Sequence, residues 1–301
     1  MLDAVIVGGS YAGISAALQL ARARRAVAVI DAGLRRNRFA THSHGFLGHD
    51  GHEGRAIAEN ARAQLLAYPT VTWIEGTARA ARGAADAFVV ELDGARNLEA
   101  KRMILAYGVS DELPSIDGVA ERWGRSVFHC PYCHGYELDG GAIGVLATMP
   151  AAAHVAQMLP DWGKTTYFTR GLFEPTAEES AALERRGVVI EREAVAAVEG
   201  DDAAPSVRLA SGRALGFRGL FVGPRTRPST PIAAELGCAL EESPFGFYVK
   251  TDEMKATTVP GVFACGDVAL PAGSVALAVG DGVRAGISAH RSLVFGLPAS
   301  G

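Results

Sequence analysis

The chain has 301 residues and a formal net charge of −4 at pH 7, and its length predicts about two domains at roughly 150 residues each. With 49% hydrophobic and 21% charged residues, it has the composition of a soluble globular protein, which excludes a disordered or fibrous chain and any need for disulfide staples. The mild acidity, without a basic run, argues against a nucleic-acid partner.

The first part of the chain has the pattern of a βαβ unit. A buried parallel strand is predicted over Ala4 to Val7, a helix over Ile14 to Arg24, and a second strand over Ala26 to Ile30. Apolar runs of four or five residues suit strands that are covered on both faces, and the intervening stretch has apolar residues at helical spacing. We therefore expect a parallel sheet that begins at the N-terminus.

The turn in this unit fits the pattern G-x-G-x-x-G. It runs from Gly8 to Gly13, with Ser10 at the position of the second glycine. Glycines here let the backbone approach a pyrophosphate, which then lies at the positive N-terminus of the helix. Asp31 ends the second strand 18 residues after Gly13, close to the spacing of about 20 for a ribose-binding carboxylate. The order of elements favours a dinucleotide site over a tight turn that binds nothing.

Further strand and helix patterns follow in the rest of the chain. A helix is predicted over Arg55 to Leu66, strands over Val71 to Ile74, Ala87 to Leu92 and Arg102 to Ala106, and a linker over Gly108 to Gly118. A second βα pattern consists of a strand over Ala142 to Ala147 and a helix over Pro150 to Leu159, followed by a strand over Thr165 to Thr169, a helix over Ala177 to Arg186 and a strand over Leu220 to Val222. A strand leading into Gly266-Asp267 and a helix over Ala276 to Leu293 complete the chain. The two βα patterns predict two dinucleotide-type domains.

Two of the four cysteines lie close together, in the sequence Cys130-Pro131-Tyr132-Cys133. The N-terminus lacks a signal-peptide pattern, and no apolar run approaches the roughly 18 residues that span a membrane. We therefore expect a cytoplasmic protein without a membrane segment, in which cysteines stay reduced unless they have a chemical role. Two thiols separated by two residues can close a small disulfide ring, and a nearby helix N-terminus would lower the pKa of a thiol. The pair is predicted to be a redox dithiol.

Three other interpretations of the cysteine pair remain open. His134 completes C-x-x-C-H, the attachment pattern of a c-type haem, which normally forms after export. A zinc site would need further ligands, for which a histidine cluster offers candidates: His42, His44, His49 and His52. The letters C-P-Y-C also occur in glutaredoxin-type active sites, but here they lie between two nucleotide-type domains. We predict no metal site.

The order of these motifs resembles the low-molecular-weight thioredoxin reductase family over essentially the whole chain. The stretch from Trp123 to Gly135 is similar to the family's approach to its active site, Ala106-Tyr107-Gly108 to its Ala-Thr-Gly segment, and Gly261 to Asp267 to the second FAD motif of two-dinucleotide flavoproteins. An ordinary Asp at a strand end is the alternative for the last of these. The resemblance implies an α/β fold with two Rossmann-like three-layer domains, the second inserted into the first. Residues 1–112 and 241–301 would form the FAD-binding domain, and residues 113–240 an NAD(P)-type domain that carries the C-x-x-C.

The resemblance also implies FAD as the cofactor. Its binding residues would be Gly8, Ser10, Tyr11, Ala12, Gly13, Asp31, Asn37, His44, Ala106, Gly108, Gly266, Asp267 and Val275. It further implies that Cys133 lies against the flavin, that Cys130 exchanges with the substrate, and that the protein is a homodimer. Cys238 and Cys265 have no partners in the sequence and are interpreted as small buried apolar residues.

The inserted domain departs from the family at its nucleotide turn. Residues Ala147 to Ala152 contain no glycine, and Pro150 removes a donor N–H. The next strand ends at Thr169-Arg170-Gly171, with one arginine where a 2′-phosphate clamp would use two. Use of NADPH is therefore left open. Either a residual nicotinamide site persists, or a Rossmann-like scaffold has lost or changed its ligand.

A second departure follows the cysteine pair. The reductases usually place an Asp where this chain has His134, which can act as a general acid or base near neutral pH. The alternative is a His that only caps a backbone group, and His129 is a weaker candidate for the catalytic role. Together with C-x-x-C-H, the loop from Arg36 to Gly51 resembles a thiol-oxidase branch that closes disulfides in dithiol natural products such as gliotoxin and holomycin. Those enzymes pass electrons through FAD to oxygen.

We therefore predict an FAD-dependent dithiol–disulfide oxidoreductase whose catalytic residues are Cys130, Cys133 and His134. Its substrate would be a small-molecule dithiol, and oxygen would be the electron acceptor. The alternative enzyme is an NAD(P)H-dependent disulfide reductase that acts on a thioredoxin-like protein. A non-enzymatic redox sensor is the alternative outside catalysis, although the chain has no long charged tail to recruit a partner.

Overall fold

The computed structural model describes residues 1–271 and 273–297. Strands and helices alternate in the N-terminal part: β1 (Leu2–Val7), α1 (Tyr11–Arg22), β2 (Val27–Asp31), α2 (Gly54–Leu66), β3 (Val71–Glu75), β4 (Ala78–Arg82), β5 (Phe88–Leu92), β6 (Asn97–Leu105) and β7 (Val109–Glu112). The predicted linker thus contains a short strand. Helix α1 begins three residues before the prediction, because the turn residues themselves form its first turn.

The middle of the chain has shorter elements. They are α3 (Val119–Arg122), β8 (Val127–Phe128), α4 (Pro131–His134), β9 (Gly140–Leu146), α5 (Ala152–Met158), β10 (Gly163–Phe168), α6 (Ala177–Arg185), β11 (Val189–Glu191), β12 (Val195–Glu199), β13 (Ser206–Leu209), β14 (Ala214–Gly216), β15 (Gly219–Val222) and β16 (Arg225–Pro228). The last part adds α7 (Ile232–Glu235), β17 (Leu240–Ser243), β18 (Gly246–Val249), β19 (Val262–Ala264) and α8 (Val275–Phe295).

Two compact units are formed. The first contains residues 1–38, 53–110 and the described residues from 226 onward, and the second contains residues 39–52 and 111–225. The second unit therefore interrupts the first in the chain, and the predicted fold class, two Rossmann-like α/β domains with one inserted, is confirmed.

The two compact units differ from the predicted domains in two segments. Residues 226–240 belong to the first unit, because the buried Ile232, Ala233 and Cys238 pack into its core. The segment 39–52 belongs to the second unit, where Phe39 lies so close to Gly124 that a Cβ on that glycine would be 2.5 Å from the Phe39 Cβ. Neither of these differences from the predicted boundaries is marked by a change in amino-acid composition along the sequence.

The first unit is built on a seven-stranded sheet in the order β3-β2-β1-β6-β5-β4, with β19 also paired to β6. Strands β1, β2, β3, β6 and β19 are parallel, and β4, β5 and β6 are antiparallel neighbours. Helices α1 and α8 pack closely, since a Cβ on Gly282 would lie 2.2 Å from the Ala12 carbonyl oxygen. This packing places the first half of α8 beside the start of α1, which follows the carboxyl end of β1.

The second unit has a five-stranded parallel sheet in the order β11-β10-β9-β15-β8 and a three-stranded antiparallel sheet, β12-β13-β14. One core includes Ile143 and Tyr167 with residues of α5, and another includes Leu146, Phe168 and Leu220 with strands of the smaller sheet. Strand β8 leads directly into the cysteine pair. A parallel sheet covered on both faces is the arrangement expected for a dinucleotide-type domain.

Among the described residues, no helix is both long and apolar enough to cross a membrane.

Candidate active site

The turn between β1 and α1 is built by close backbone approach. Gly8 has φ of +113°, a conformation that side chains other than glycine rarely adopt, and a Cβ there would lie 2.2 Å from the Ala106 carbonyl oxygen. A Cβ on Gly13 would lie 1.8 Å from the Gly8 carbonyl oxygen. The turn therefore has no room for side chains at these positions, as a phosphate-binding turn requires.

Helix α1 offers its N-terminus at this turn. Its hydrogen bonding starts with the Ile14 N–H donating to the Ser10 carbonyl at 2.9 Å. The amides of Tyr11, Ala12 and Gly13 precede that bond and have no helical acceptor. Ser10 is the N-cap in an extended conformation, and its side chain makes no capping bond. A helix of twelve residues with free first-turn amides is a suitable site for an anion.

Asp31 lies at the carboxyl end of β2, beside the same turn. A Cβ on Gly9 would be 2.5 Å from the Asp31 Cβ, so that glycine is also required by packing. One carboxylate oxygen of Asp31 accepts the Gly33 N–H at 3.0 Å. The role predicted for Asp31, acceptance of a hydrogen bond from a ribose hydroxyl, stays a prediction.

Asn37 is held against the first residue of α1. Its side-chain amide donates to the Tyr11 hydroxyl at 3.0 Å, and that hydroxyl donates to the Gly54 carbonyl at 2.9 Å. A Cβ on Gly54 would lie 2.8 Å from the Asn37 amide nitrogen. The structure thus places two predicted cofactor residues in one hydrogen-bond chain.

The C-terminal motif lies at the same helix end. Gly266 has φ of +73°, and a Cβ there would be 2.8 Å from the Ala12 Cβ. The Asp267 carboxylate accepts from Arg36 at 3.0 Å. Val275 is the first residue of α8, whose N-cap Ser274 accepts the Leu277 N–H at 3.3 Å.

Ala106 and Gly108 complete the group in the first unit. The Ala106 N–H donates to the Val7 carbonyl at 2.8 Å, which extends the β1–β6 pairing up to the turn. Gly108 has φ of +69°, and its carbonyl accepts the Ser229 N–H at 3.2 Å. Every predicted cofactor residue except His44 therefore belongs to this unit. Its phosphate turn, ribose carboxylate and second Gly-Asp motif fit a bound FAD.

Sequence analysis missed Arg36, Lys255 and Asp281 in this group. Arg36 could have been noticed as a cation beside Asn37, but nothing in the sequence pairs it with Asp267. Lys255 and Asp281 form an ion pair at 2.8 Å and lie far apart in the chain.

The redox pair lies in the second unit. Cys130 and Cys133 form a disulfide, with Cα atoms 5.3 Å apart. Cys130 is the N-cap of α4, Pro131 occupies the first helical position, and the Cys133 N–H donates to the Cys130 carbonyl at 3.2 Å. The disulfide is the arrangement predicted for a redox dithiol, and it leaves neither thiolate free for zinc. In the described part of the chain, no group of three or more His, Cys, Asp or Glu side chains converges on a metal position.

His134 follows the pair on the same helical turn. Its ring stacks on Phe128, with centroids 4.2 Å apart and planes inclined by 20°. Burial, together with a smaller effect of charge repulsion from the neighbouring His44, lowers the pKa of His134 to about 4. The imidazole is therefore neutral at neutral pH. A cavity of about 210 Å³ adjoins it, lined also by Arg125 and Arg218.

His44 belongs to the second unit, together with His134. Its Nε2 lies 3.4 Å from a Glu137 carboxylate oxygen, and its Nδ1 lies 3.7 Å from one of Asp50. Its predicted contact with the cofactor stays a prediction. The other clustered histidines have different neighbours: His42 with Thr41, and His49 with His52.

The turn after β9 contrasts with the turn after β1. The Ala152, Ala153 and His154 amides donate to carbonyls of Met149, Pro150 and Ala151, so the first amides of α5 are already used. These hydrogen bonds are made within the turn itself. Helix α5 is also short, with only seven residues.

Side chains also occupy the carboxyl edge of this sheet. The Arg170 guanidinium donates to the Ala147 carbonyl at 3.1 Å, and the Thr148 hydroxyl donates to the Gly223 carbonyl. The buried Met149 packs against Gly223, since its Cε would be 3.4 Å from a Cβ there. In Rossmann-like domains this edge is where a dinucleotide binds.

Residues 2–282 match the family model described as pyridine nucleotide-disulphide oxidoreductase. The chain is 31% identical to thioredoxin reductase sirT of Leptosphaeria maculans, over 95% of this chain and 92% of that protein. Two solved structures are also similar. An oxidoreductase from Agrobacterium tumefaciens has 56% identity and a TM-score of 0.95, with 98% of this chain and 99% of that one covered. HlmI has 37% identity and a TM-score of 0.90, with 97% and 92% covered.

Proposed function

Since this chain belongs to the pyridine nucleotide-disulphide oxidoreductase family and is a flavin-dependent thiol–disulfide oxidoreductase of the thioredoxin reductase type, we propose that it works in the oxidising direction. Its substrate in this proposal is a small-molecule dithiol, and its final electron acceptor is oxygen. The name of the Leptosphaeria relative, thioredoxin reductase, supports the opposite direction as the second candidate.

The proposal depends mainly on the turn after β9. A reductase of this family must bind a nicotinamide dinucleotide, and binding of its pyrophosphate needs free amides and close backbone approach. Here the first amides of α5 are bonded within their own turn, and Arg170, the arginine that follows β10, donates to the Ala147 carbonyl. A dinucleotide would have to break these bonds. The first unit, by contrast, keeps its turn open for FAD.

The chemistry balances without a nicotinamide. A substrate thiolate attacks the Cys130 sulfur, and the Cys130–Cys133 bond breaks to release the Cys133 thiolate. The second substrate thiol then attacks the mixed disulfide, so that the substrate leaves as a disulfide and both cysteines are reduced. When bound, FAD would accept this electron pair and pass it on to oxygen. The sum is dithiol plus oxygen giving disulfide plus hydrogen peroxide.

His134 is the proposed proton acceptor. With a pKa of about 4 beside the intact disulfide, its imidazole is neutral and has a nitrogen free to take a proton. Opening of the disulfide places a thiolate nearby, and an anion at short range raises the pKa of an imidazole by about 1–3 units. This rise in pKa makes His134 a better proton acceptor once the thiolate has formed.

Anaerobic reduction distinguishes the two directions. We expect dithiothreitol to bleach the flavin absorbance of the purified protein within seconds, and NADPH or NADH at millimolar concentration to leave it unchanged over minutes. Re-admission of air should restore the absorbance and release hydrogen peroxide in amounts matching the dithiol consumed. Rapid bleaching by NADPH, with transfer of electrons to a thioredoxin, would instead establish the reductase.

Replacement of His134 tests its role through the pH dependence. In His134→Gln, dithiol oxidation should be about 10²-fold slower at pH 6.5, because general-base catalysis contributes about 10²–10⁴-fold. The deficit should shrink toward pH 9, since free thiols of pKa about 8.5 then ionise unaided. The wild type should keep its rate down to about pH 5, because His134 stays neutral above its pKa of about 4.

Stopped-flow reduction of the flavin by dithiothreitol measures both profiles. His154→Gln, an exposed histidine on α5, is the matched control and should follow the wild type. Parallel profiles for wild type and His134→Gln would exclude His134 as the base.

A further inference from the structure

A buried ion pair lies in the first unit, away from the redox cysteines in the chain. The Lys255 ammonium is 2.8 Å from an Asp281 carboxylate oxygen, and each side chain is only 8% exposed. Withdrawal of two charges from water costs several kcal/mol per ion, so a buried pair is weak evidence for stability alone. The buried ion pair is therefore expected to have a role other than stability.

Asp281 has a second contact that points to this requirement. Its other carboxylate oxygen accepts the Gly266 N–H at 2.9 Å, in a buried hydrogen bond from α8 to the turn after β19. Gly266 is the residue whose Cβ would meet Ala12 at the start of α1. The carboxylate therefore fixes the main chain immediately before Asp267, at the edge of the sheet where α1 begins.

Lys255 is itself fixed by its backbone. It has φ of +66°, its N–H donates to the Asp252 carbonyl at 3.0 Å, and its carbonyl accepts the Ala264 N–H at 3.0 Å. The left-handed region is an unfavourable conformation for a lysine, and here it accompanies placement of the ammonium beside Asp281. The pair thus connects the loop before β19, the turn after it, and α8.

We propose that Lys255 and Asp281 form a positioning pair for FAD: Lys255 holds the buried Asp281 carboxylate in place, and Asp281 holds the Gly266 amide so that Asp267 is set for the cofactor. Asp267 is constrained from its other side by Arg36 at 3.0 Å. The turn is then in its binding conformation before FAD arrives, so less ordering is lost on binding. This inference does not depend on the direction of the redox reaction.

Two double variants, uncharged at both positions, separate the effect of the hydrogen-bond acceptor at position 281 from the effect of the ion-pair charge. Lys255→Met with Asp281→Asn keeps an oxygen for the Gly266 N–H, whereas Lys255→Met with Asp281→Leu removes it. Since neither leaves an unpaired buried charge, both are expected to fold. We expect FAD release from the holoenzyme, followed as flavin fluorescence after dilution, to be within about threefold of wild type in the first and at least tenfold faster in the second.

The single variant Lys255→Met should also release FAD at least tenfold faster, because its buried carboxylate must protonate or turn toward water. Lys250→Met is the control, since Lys250 forms an exposed ion pair with Glu241 at 2.9 Å and should release FAD at the wild-type rate. Thermal unfolding of each FAD-stripped variant measures stability separately. Equal FAD release from the two double variants would overturn the positioning role, whatever their unfolding temperatures.

Discussion

Replacement of Cys133 by serine should abolish turnover, by at least about 10³-fold, while FAD stays bound. Loss of a nucleophile that acts as one unit with its partner typically costs 10³-fold or more in kcat. A serine cannot close the disulfide with Cys130, so no bond exists for the substrate thiolate to attack. The proposed FAD-binding residues other than His44 lie in the first unit and Cys133 lies in the second, so the substitution leaves those residues unchanged.

Thiol titration of the unfolded protein checks the assignment directly. Of the four cysteines, two are in the disulfide and two, Cys238 and Cys265, are buried free thiols. The wild type should therefore show two thiols as purified and four after reduction, and Cys133→Ser three in both states. Cys238→Ala, the matched control, should keep turnover within about twofold. Turnover that survives in Cys133→Ser would refute the proposed redox pair.

Local sequence patterns were sufficient to predict the fold class and the glycine turn after β1. These patterns are a four-residue apolar run, glycines at fixed spacing and an aspartate at the end of the next strand. They all lie within about 30 residues, so the geometry of the strand, turn and helix that they predict is determined by local sequence. The cysteine pair is local in the same sense. Its disulfide requires only two residues between the thiols, and the predicted position was correct.

Contacts between distant segments were not predictable from one sequence. Arg36 meets Asp267, and Lys255 meets Asp281, only because the fold brings together segments that are separate in the chain. Likewise, the loss of glycines after β9 was visible, but not the bond from Arg170 to Ala147 that completes the closure of this turn. The low pKa of His134 depends on burial and on His44, which the fold brings near from another part of the chain.

Replacement of Gly13 by alanine should remove FAD from the purified protein, with a fall of more than tenfold in flavin per chain. The new Cβ would lie 1.8 Å from the Gly8 carbonyl oxygen, and that oxygen belongs to backbone that is itself packed against Ala106. Relief of the overlap must move the start of α1 away from the turn, which displaces the free amides of its first turn. Forced overpacking of this kind typically costs 1–3 kcal/mol in stability.

The direction of the change in unfolding temperature shows whether the new Cβ in Gly13→Ala clashes with the turn. Alanine is a better helix former than glycine by about 1 kcal/mol, so without the clash Gly13→Ala would stabilise α1 and raise the unfolding temperature. Gly280→Ala is the matched control, because a Cβ on that glycine of α8 meets nothing within 4 Å. We expect Gly280→Ala to unfold at the same or a higher temperature with full flavin content, and Gly13→Ala to unfold several degrees lower. Full flavin content in Gly13→Ala would show that the pyrophosphate does not bind at this turn, and the FAD site would then have to be sought elsewhere in the chain.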